Sequence, residues 1–174
     1  MEKKMKRERG MKELPTAERI RELFCYDPTS GILTRRISVS NAKAGSVAGS
    51  RGGEYLTVSI DGSTYRVHRV VFVWMTGAWP PIDIDHRDLD KFNNRWLNLR
   101  PSNKTETQAN QTCRKNNAAG TKGVYWNIAK KKWVAQLRKE GQRFHLGYFD
   151  EIEVAKIVYA AKAKELFGEF ARVA

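Results

Sequence analysis

The sequence predicts an α+β protein, and three observations lead to this fold class. Two strand-like segments flank Asp61-Gly62, and an Asp-Gly pair supplies the positive φ angles that a tight hairpin turn requires. Residues 122–149 contain three short segments with the alternation of an antiparallel sheet. An amphipathic segment from Glu151 to Phe167 follows them. The C-terminal part is therefore predicted to be a three-stranded sheet packed on one helix.

The N-terminal part begins with residues 1–14, which are rich in charge and poor in core-forming side chains. We interpret them as a basic flexible arm, either touching phosphate or simply solvated. A short helix follows, with Thr16 as its cap. A turn at residues 27–31 separates this helix from a predicted strand at residues 32–39.

The next elements lead up to the polar stretch at residues 84–100. Residues 41–53 contain four glycines and are predicted to be loop or loosely paired. After the Asp61-Gly62 hairpin, the stretch from Val70 to Thr76 is apolar enough for a short buried helix, which Gly77 ends. His68 stands at the start of this helix, and its apolar neighbours favour a structural role.

The last elements follow the polar stretch at residues 84–100. Residues 102–112 are predicted to be helical, and the small polar residues 113–121 are interpreted as a linker and domain boundary. In the C-terminal helix, Asp150 and Glu153 have the spacing of a capping box, and Gly168 is a natural C-cap.

Composition restricts the classes of partner. The 174 residues carry a formal net charge of +13, which indicates a polyanion and most simply a nucleic acid. No apolar run approaches the 18 residues of a membrane span. The two cysteines lie far apart without a CxxC pair, so the sequence does not favour a structural zinc site.

The polar stretch IDHRDLDKFNNRWLNLR, residues 84–100, holds the candidate active site. Asp85 can bind a divalent cation through oxygen, and the adjacent His86 can take a proton near neutral pH. Asn94 and Asn98 can fix the imidazole tautomer or close the loop. A metal beside an acid–histidine pair suits phosphodiester hydrolysis. An Asp-His pair alone is more often a turn or a helix cap.

Residues 65–111 resemble the HNH homing endonucleases of phages and mobile introns through the successive motifs HR, DH, NN and NLR. The resemblance implies a ββα-metal nuclease domain over residues 15–112, with one divalent ion, Mg²⁺ or Mn²⁺. It assigns His86 as the general base, Asp85 as the metal ligand and Asn98 as the supporting loop residue. Asn94 is a further candidate for that supporting role.

The sequence departs from this family at one position. Family members carry a metal-binding Asn or His on the last helix, where this chain has Thr107. A hydroxyl oxygen is a weaker ligand, and Glu106 and Asn110 are the alternatives. Weakened metal binding and a slow or inactive nuclease are the expected consequences if none of them replaces the missing ligand.

The C-terminal sheet is predicted to bind duplex DNA through the face opposite its helix, as other β-sheet readers do. Arg138 and Arg143 are candidates for guanine or phosphate, and Gln136 for adenine. Trp126 and Trp133 are candidates for sugars or bases, although Trp133 fits a core position equally well. The remaining candidate DNA contacts are Arg69, Arg114, Lys115, Lys122 and Lys132.

Residues 120–172 resemble the plant APETALA/ethylene-response-factor DNA-binding domain, most specifically in LGYFD and the alanine-rich helix after it. The resemblance implies a DNA-binding domain at residues 122–174. Lys132, Trp133, Gln136 and Arg138 match its pattern. Tyr125 and Asn127 stand where the plant family has arginines, so the base preference of that family does not transfer.

The sequence thus predicts a metal-dependent, homing-type endonuclease that acts on double-stranded DNA. It is expected to be a monomer in the cytoplasm, that of the host if phage-encoded, without a small-molecule cofactor or a membrane partner. The alternative is a sequence-specific DNA-binding protein that does not cleave, or a decayed homing enzyme. RNA binding is a third, weaker interpretation.

Overall fold

A computed structural model describes residues 13–114 and 116–173. Its chain divides into two compact units, Met1–Trp79 and Pro80–Ala174. Both units contain helices and antiparallel strands, so the predicted α+β class is confirmed. Most of the predicted basic arm (residues 1–12) and the predicted DNA contact Lys115 lie outside the described residues.

The described part of the first unit contains two antiparallel sheets and two helices. One sheet pairs β1 with β2, and in the other β4 lies between β3 and β5. The elements are α1 (Ala17–Leu23), β1 (Phe24–Asp27), β2 (Ile32–Arg35), β3 (Ser50–Gly52), β4 (Tyr55–Ile60), β5 (Ser63–Arg66) and α2 (Val67–Thr76).

Local sequence signals explain most of these boundaries. Thr16 caps α1 by accepting a hydrogen bond from the backbone N–H of Arg19. Asp61 and Gly62 have φ angles of 48° and 75°, which joins β4 to β5 by the predicted tight turn. The helix α2 starts three residues earlier than predicted and ends at Gly77, whose φ of 84° is left-handed.

The second unit carries the polar stretch and the C-terminal sheet. The strands β6 and β7 pair with each other, and β9 lies between β8 and β10. The elements are β6 (Asp83–His86), β7 (Leu99–Ser102), α3 (Lys104–Asn110), β8 (Val124–Asn127), β9 (Lys132–Lys139), β10 (Gln142–Phe149) and α4 (Ile152–Phe167), with short 3-10 helices at Trp96–Asn98 and Gly168–Phe170.

The helix α3 begins with a capping box that fixes its register. The Asn103 side chain accepts a hydrogen bond from Glu106 N, and the Glu106 carboxylate accepts one from Asn103 N. The helix consequently starts at Lys104, two residues later than predicted, and places Asn110 in its last position.

One face of the β8–β10 sheet packs on α4. Its buried core joins small and apolar residues of both layers, among them Val124, Ala135 and Ala155. Gly123, just before β8, has a φ of +68°, and an added Cβ would lie 2.0 Å from the Gln136 carbonyl oxygen. Only glycine fits this close approach of two strands.

The predicted capping box of α4 is wrong. The N-cap residue is Glu151, and no side chain caps the helix. Lys132 draws the Asp150 carboxylate into an ion pair, and Lys156 does the same with Glu153. Both carboxylates are therefore engaged away from the free N–H groups of the first turn.

The tryptophans do not lie on the sheet face expected for them. Trp126 and Trp133 are cross-strand partners, and Trp133 packs against the core shared with α4. Because cross-strand partners share a face, both tryptophans are on the helix side of the sheet. For Trp126 the predicted position on the face opposite α4, here called the open face, is therefore wrong, and for Trp133 the core alternative holds.

The two compact units do not coincide with the predicted domains. Residues 113–121, interpreted as a linker, lie inside the unit Pro80–Ala174 together with the polar stretch and the C-terminal sheet. The division into a nuclease domain and a separate DNA-binding domain stays a prediction. No described helix is long and apolar enough to cross a bilayer.

Candidate active site

Asp85 lies at the centre of the second unit's polar cluster. In the β6–β7 pair it stands directly opposite Arg100, and the two side chains form a buried ion pair at 3.0 Å. The Nε and Nη2 atoms of Arg100 both donate to Asp85 Oδ2. Asn110 Nδ2 donates to the same oxygen at 2.9 Å and to the backbone carbonyl of His86. Three hydrogen bonds therefore converge on one carboxylate oxygen.

The other oxygen of this carboxylate, Oδ1, accepts no hydrogen bond from any described residue. The same holds for the side-chain oxygen of Asn110, whose amide nitrogen makes all of its hydrogen bonds. Arg100 and Asn110 thus fix the orientation of the carboxylate and leave Oδ1 available to a ligand.

Carboxylate and amide oxygens are the ligand type that a hard divalent cation prefers. Mg²⁺ prefers oxygen ligands and is commonly held by one or two carboxylates, with waters and substrate phosphate completing its shell. Across residues 13–114 and 116–173, no group of three or more His, Cys, Asp or Glu side chains is arranged to hold a metal. Oxygen atoms such as those of Asp85 and Asn110 are the ligand type that Mg²⁺ and Mn²⁺ prefer, whereas zinc prefers nitrogen and sulfur.

His86 follows Asp85 and is also buried. Its Nε2 lies 3.3 Å from Asn94 Oδ1. Asn94 Nδ2 donates to the Phe92 carbonyl, which turns the amide oxygen towards the imidazole. His86 Nε2 must therefore carry the proton, and in the neutral ring Nδ1 is the basic nitrogen. Burial lowers the pKa of His86, outweighing the hydrogen bond with Asn94 and the nearby carboxylates, so the ring is neutral at pH 7.

The loop between β6 and β7 is closed around Asp88. Asn98 Oδ1 accepts from the Asp88 backbone N–H, and Asn98 Nδ2 donates to the Asp88 carboxylate and to the Asn93 carbonyl. Asn93 Nδ2 also donates to Asp88. Burial of Asp88 raises its pKa, but these hydrogen bonds outweigh it, and the pKa lies below its usual range. Asn98 therefore supports the loop and does not contact the imidazole.

The three candidate ligands on the last helix have different environments. Thr107 Oγ1 lies 3.0 Å from Ser102 Oγ and donates to the Asn103 carbonyl. Glu106 is engaged in the capping box. Of these three residues, Asn110 is the one in contact with Asp85.

The candidate DNA contacts are distributed over both units. Arg138 and Arg143 are exposed cross-strand partners on the open face of the C-terminal sheet, and Gln136 pairs with His145 on that face. Lys132 is paired with Asp150. Arg114 is exposed in the segment after α3, and Arg69 is half-buried on α2 of the first unit.

Lys122 has a different environment from the other candidate contacts. Its ammonium group donates to the carbonyls of Ala109 and Gln111 at the end of α3. Burial, followed by the nearby charge of Arg172, lowers its pKa to about 8. Lys122 therefore holds the C-terminus of the helix that carries Asn110.

Sequence reasoning missed the partner of Asp85. Arg100 stands in the NLR motif, but its role depends on the register of β6 against β7. Counting inwards from Asp83 and Ser102 as the first pair of an antiparallel hairpin would have placed Asp85 opposite Arg100. Asp88 and Asn93 were visible only as part of a polar run.

Comparisons with known proteins bear on residues in both units. Residues 65–109 match a family model described as HNH endonuclease. The chain is 32% identical over 116 residues to a protein of Acanthamoeba polyphaga mimivirus named as an uncharacterized HNH endonuclease. The aligned region covers 66% of this chain and 59% of that relative. No solved structure matches the chain.

These matches support the resemblance that the motifs of residues 65–111 carry. The family model matches a segment of the chain, residues 65–109, and not the whole chain. The resemblance of residues 120–172 to a plant DNA-binding domain stays a prediction.

Proposed function

We propose that this chain, in which one segment matches the HNH endonucleases, is a metal-dependent endonuclease of the homing type that hydrolyses phosphodiester bonds in duplex DNA. One observation carries the proposal. A buried carboxylate is held by three hydrogen bonds on a single oxygen, with its other oxygen available, beside a histidine whose burial keeps it neutral.

In this mechanism His86 is the general base. Asn94 holds Nε2–H, so Nδ1 accepts a proton from the attacking water. The lowered pKa of the ring keeps it in the basic form at neutral pH. Asn98 and Asp88 keep the loop after His86 closed, so the ring needs little reorganisation before the reaction.

Asp85 would hold one divalent ion through Oδ1, together with the amide oxygen of Asn110. Such an ion, when bound, supplies positive charge that stabilises the pentacovalent phosphate and the leaving oxygen. Arg100 keeps the Asp85 carboxylate oriented through two hydrogen bonds to Oδ2.

The open face of the C-terminal sheet would bring the DNA to this site. Arg138 and Arg143 stand directly opposite each other, and two like charges in such a pair repel. Neither has an acidic partner among the described residues. Phosphate groups would relieve this repulsion. The formal charge of +13 agrees with a polyanionic partner.

The decisive test is a plasmid-nicking assay on the full-length chain. Supercoiled DNA is incubated with the protein in Mg²⁺, in Mn²⁺ and in excess EDTA. Cleavage that requires the metal supports the proposal. Absence of cleavage under every metal condition, from a folded protein, contradicts it.

The second candidate is a DNA-binding protein that does not cleave. It is favoured by Thr107, which contacts Ser102 and Asn103 where the family carries a metal ligand. Tight binding of duplex DNA without any metal-dependent cleavage would select this function. Competition by double-stranded RNA would instead indicate the RNA-binding alternative.

Replacing Arg138 and Arg143 together with alanine is expected to weaken binding to duplex DNA. Loss of two phosphate contacts would reduce the slope of log K against log salt by about 2. Fluorescence anisotropy at several salt concentrations, in EDTA, measures this slope. The matched control replaces Lys156 and Lys164 of α4, removing the same charge from the helix. An equal effect of both double variants would argue against binding through the open face.

The rate of cleavage is expected to depend on the protonation of His86. Because burial lowers the pKa of the ring, kcat/KM should be constant at neutral pH and fall tenfold per pH unit only below a midpoint under about 6.5. Initial nicking rates between pH 5 and 8.5 measure the midpoint. An acid limb centred above 6.5 would contradict the assignment of His86 as a buried neutral base.

A further inference from the structure

The segment Gly168–Val173, here called the C-terminal clamp, follows α4 and returns to the β6–β7 hairpin. The clamp belongs to the part of the sequence predicted to be a separate DNA-binding domain. Its backbone nevertheless pairs with the end of α3, since the Arg172 N–H donates to the Ala109 carbonyl at 3.2 Å. Nothing in the sequence of the clamp indicated a contact with the candidate active site.

Arg100 is contacted by two residues of the clamp, Glu169 and Phe170. Its Nη1 donates to the backbone carbonyl of Glu169 at 3.0 Å, and its guanidinium carbon lies 3.6 Å from the centre of the Phe170 ring. The remaining donors, Nε and Nη2, are those that hold Asp85. Arg100 is only 4% exposed, and the clamp supplies the aromatic face and the acceptor that a buried guanidinium requires.

A second set of contacts joins the clamp to the residue after His86. The Glu169 carboxylate forms an ion pair with Arg87, and the Arg172 guanidinium donates to the Arg87 carbonyl at 2.9 Å. The hydrogen bond from Arg87 lowers the pKa of Glu169, so this carboxylate is ionised at neutral pH. The clamp therefore contacts both β6–β7, which carries Asp85, and α3, which carries Asn110.

We propose that the C-terminal clamp is a positioning element of the nuclease site. Phe170 and the Glu169 backbone hold Arg100, Arg100 holds Asp85 Oδ2, and Asp85 Oδ1 is thereby directed at a divalent cation. Arg172 acts in the same way on α3 and Asn110. In this proposal each clamp residue acts through a neighbouring side chain or helix, and none acts by contact with the metal or the DNA phosphate. The inference rests on the proposed function.

A positioning role differs from mere stabilisation in what it changes. A residue that only stabilises the fold alters the midpoint of unfolding and leaves the folded site intact. A residue that orients Asp85 changes metal affinity and kcat in the folded protein while leaving DNA affinity unchanged. Partners behind a metal ligand typically contribute about 10–100-fold to metal affinity or activity.

The test uses full-length Phe170→Ala and Phe170→Leu. Mn²⁺ binding by electron paramagnetic resonance is expected to weaken about 10-fold or more in Phe170→Ala, with a similar fall in kcat and an unchanged KM for DNA. In ¹⁵N NMR spectra, the Arg100 Nε–H should exchange slowly with water in the wild type and faster in both variants. If Phe170→Ala does not fold, Phe170→Leu decides, because it keeps an apolar contact and removes the ring face.

The matched control is Phe167→Leu, which makes the same change in the last residue of α4. Phe167 packs against the core of the sheet and helix, so this variant should change stability and leave Arg100 exchange and Mn²⁺ affinity as in the wild type. Equal exchange of the Arg100 Nε–H in wild type and Phe170→Leu overturns the proposal. A wild type that neither binds Mn²⁺ nor cleaves DNA refutes the proposed function, while the NMR comparison still decides on the clamp.

Discussion

Replacement of His86 with alanine is expected to lower the rate of DNA cleavage by about 10²–10⁴-fold, the usual contribution of a general base. The imidazole is held by Asn94 in the tautomer that accepts a proton at Nδ1, and no other described histidine lies in the polar stretch. Binding of duplex DNA should stay within about twofold, because the cations of the sheet are unchanged. Single-turnover nicking rates and anisotropy in EDTA measure the two quantities.

Chemical rescue provides the control for this variant. The alanine substitution leaves a cavity of the shape of the lost ring, and added imidazole should restore part of the rate in His86→Ala without affecting the wild type. Circular dichroism confirms that the variant is folded. Cleavage by His86→Ala at the wild-type rate would remove the histidine from the mechanism.

Replacement of Arg100 with methionine is expected to lower the free energy of unfolding by about 3–5 kcal/mol, as for other buried ion pairs that lose one partner. The side chains of Arg100 and Asp85 are 5% and 7% exposed, so the remaining carboxylate would be buried with Asn110 as its one described donor. Metal-dependent cleavage should be lost as well. Urea denaturation followed by circular dichroism measures the stability.

A double variant separates the two effects of Arg100. Arg100→Met combined with Asp85→Leu removes both charges, and an apolar pair in place of a buried ion pair is often close to neutral in stability. The double variant should therefore regain most of the lost stability and remain inactive. The exposed Arg87, replaced by methionine, is the control and should affect unfolding much less. A double variant less stable than Arg100→Met would contradict the role given to the buried charge.

The sequence predicted those features that depend on neighbouring residues. The turn at Asp61-Gly62, the cap at Thr16 and the end of α2 at Gly77 all follow from local backbone rules, and all are present. The density of polar side chains in residues 84–100 likewise indicated a site because such groups are rarely buried without a purpose. On that basis the polar stretch predicts Asp85 and His86 as site residues.

Features that depend on pairing between distant residues could not be predicted in the same way. The choice among Thr107, Glu106 and Asn110 required the exact start of α3, which the capping box at Asn103 sets. The ion pair of Asp85 required the strand register. The capping prediction for α4 failed because Lys132 competes for Asp150, and that lysine lies on another strand.

The positions of the tryptophans show that assigning a strand residue to the wrong face of the sheet changes its predicted role. Aromatic residues in a strand fit a core or a nucleic-acid surface equally well, and the alternation of side chains decides between them. Trp133 alternates with Val134, and pairing with Trp126 places it beside α4. Arg138 and Gln136 follow the opposite alternation and remain candidates for DNA contact.

The return of the clamp to the hairpin has a consequence for biosynthesis. Arg87 and Glu169 are 82 positions apart, so a ribosome adding roughly 5–20 residues per second needs about 4–16 s to pass from one to the other. Throughout that interval the growing polypeptide carries Asp85 and His86 but not the Phe170 ring that packs on Arg100. Prematurely terminated chains would also lack the Phe170 ring. The site can therefore become competent only after translation has passed residue 173.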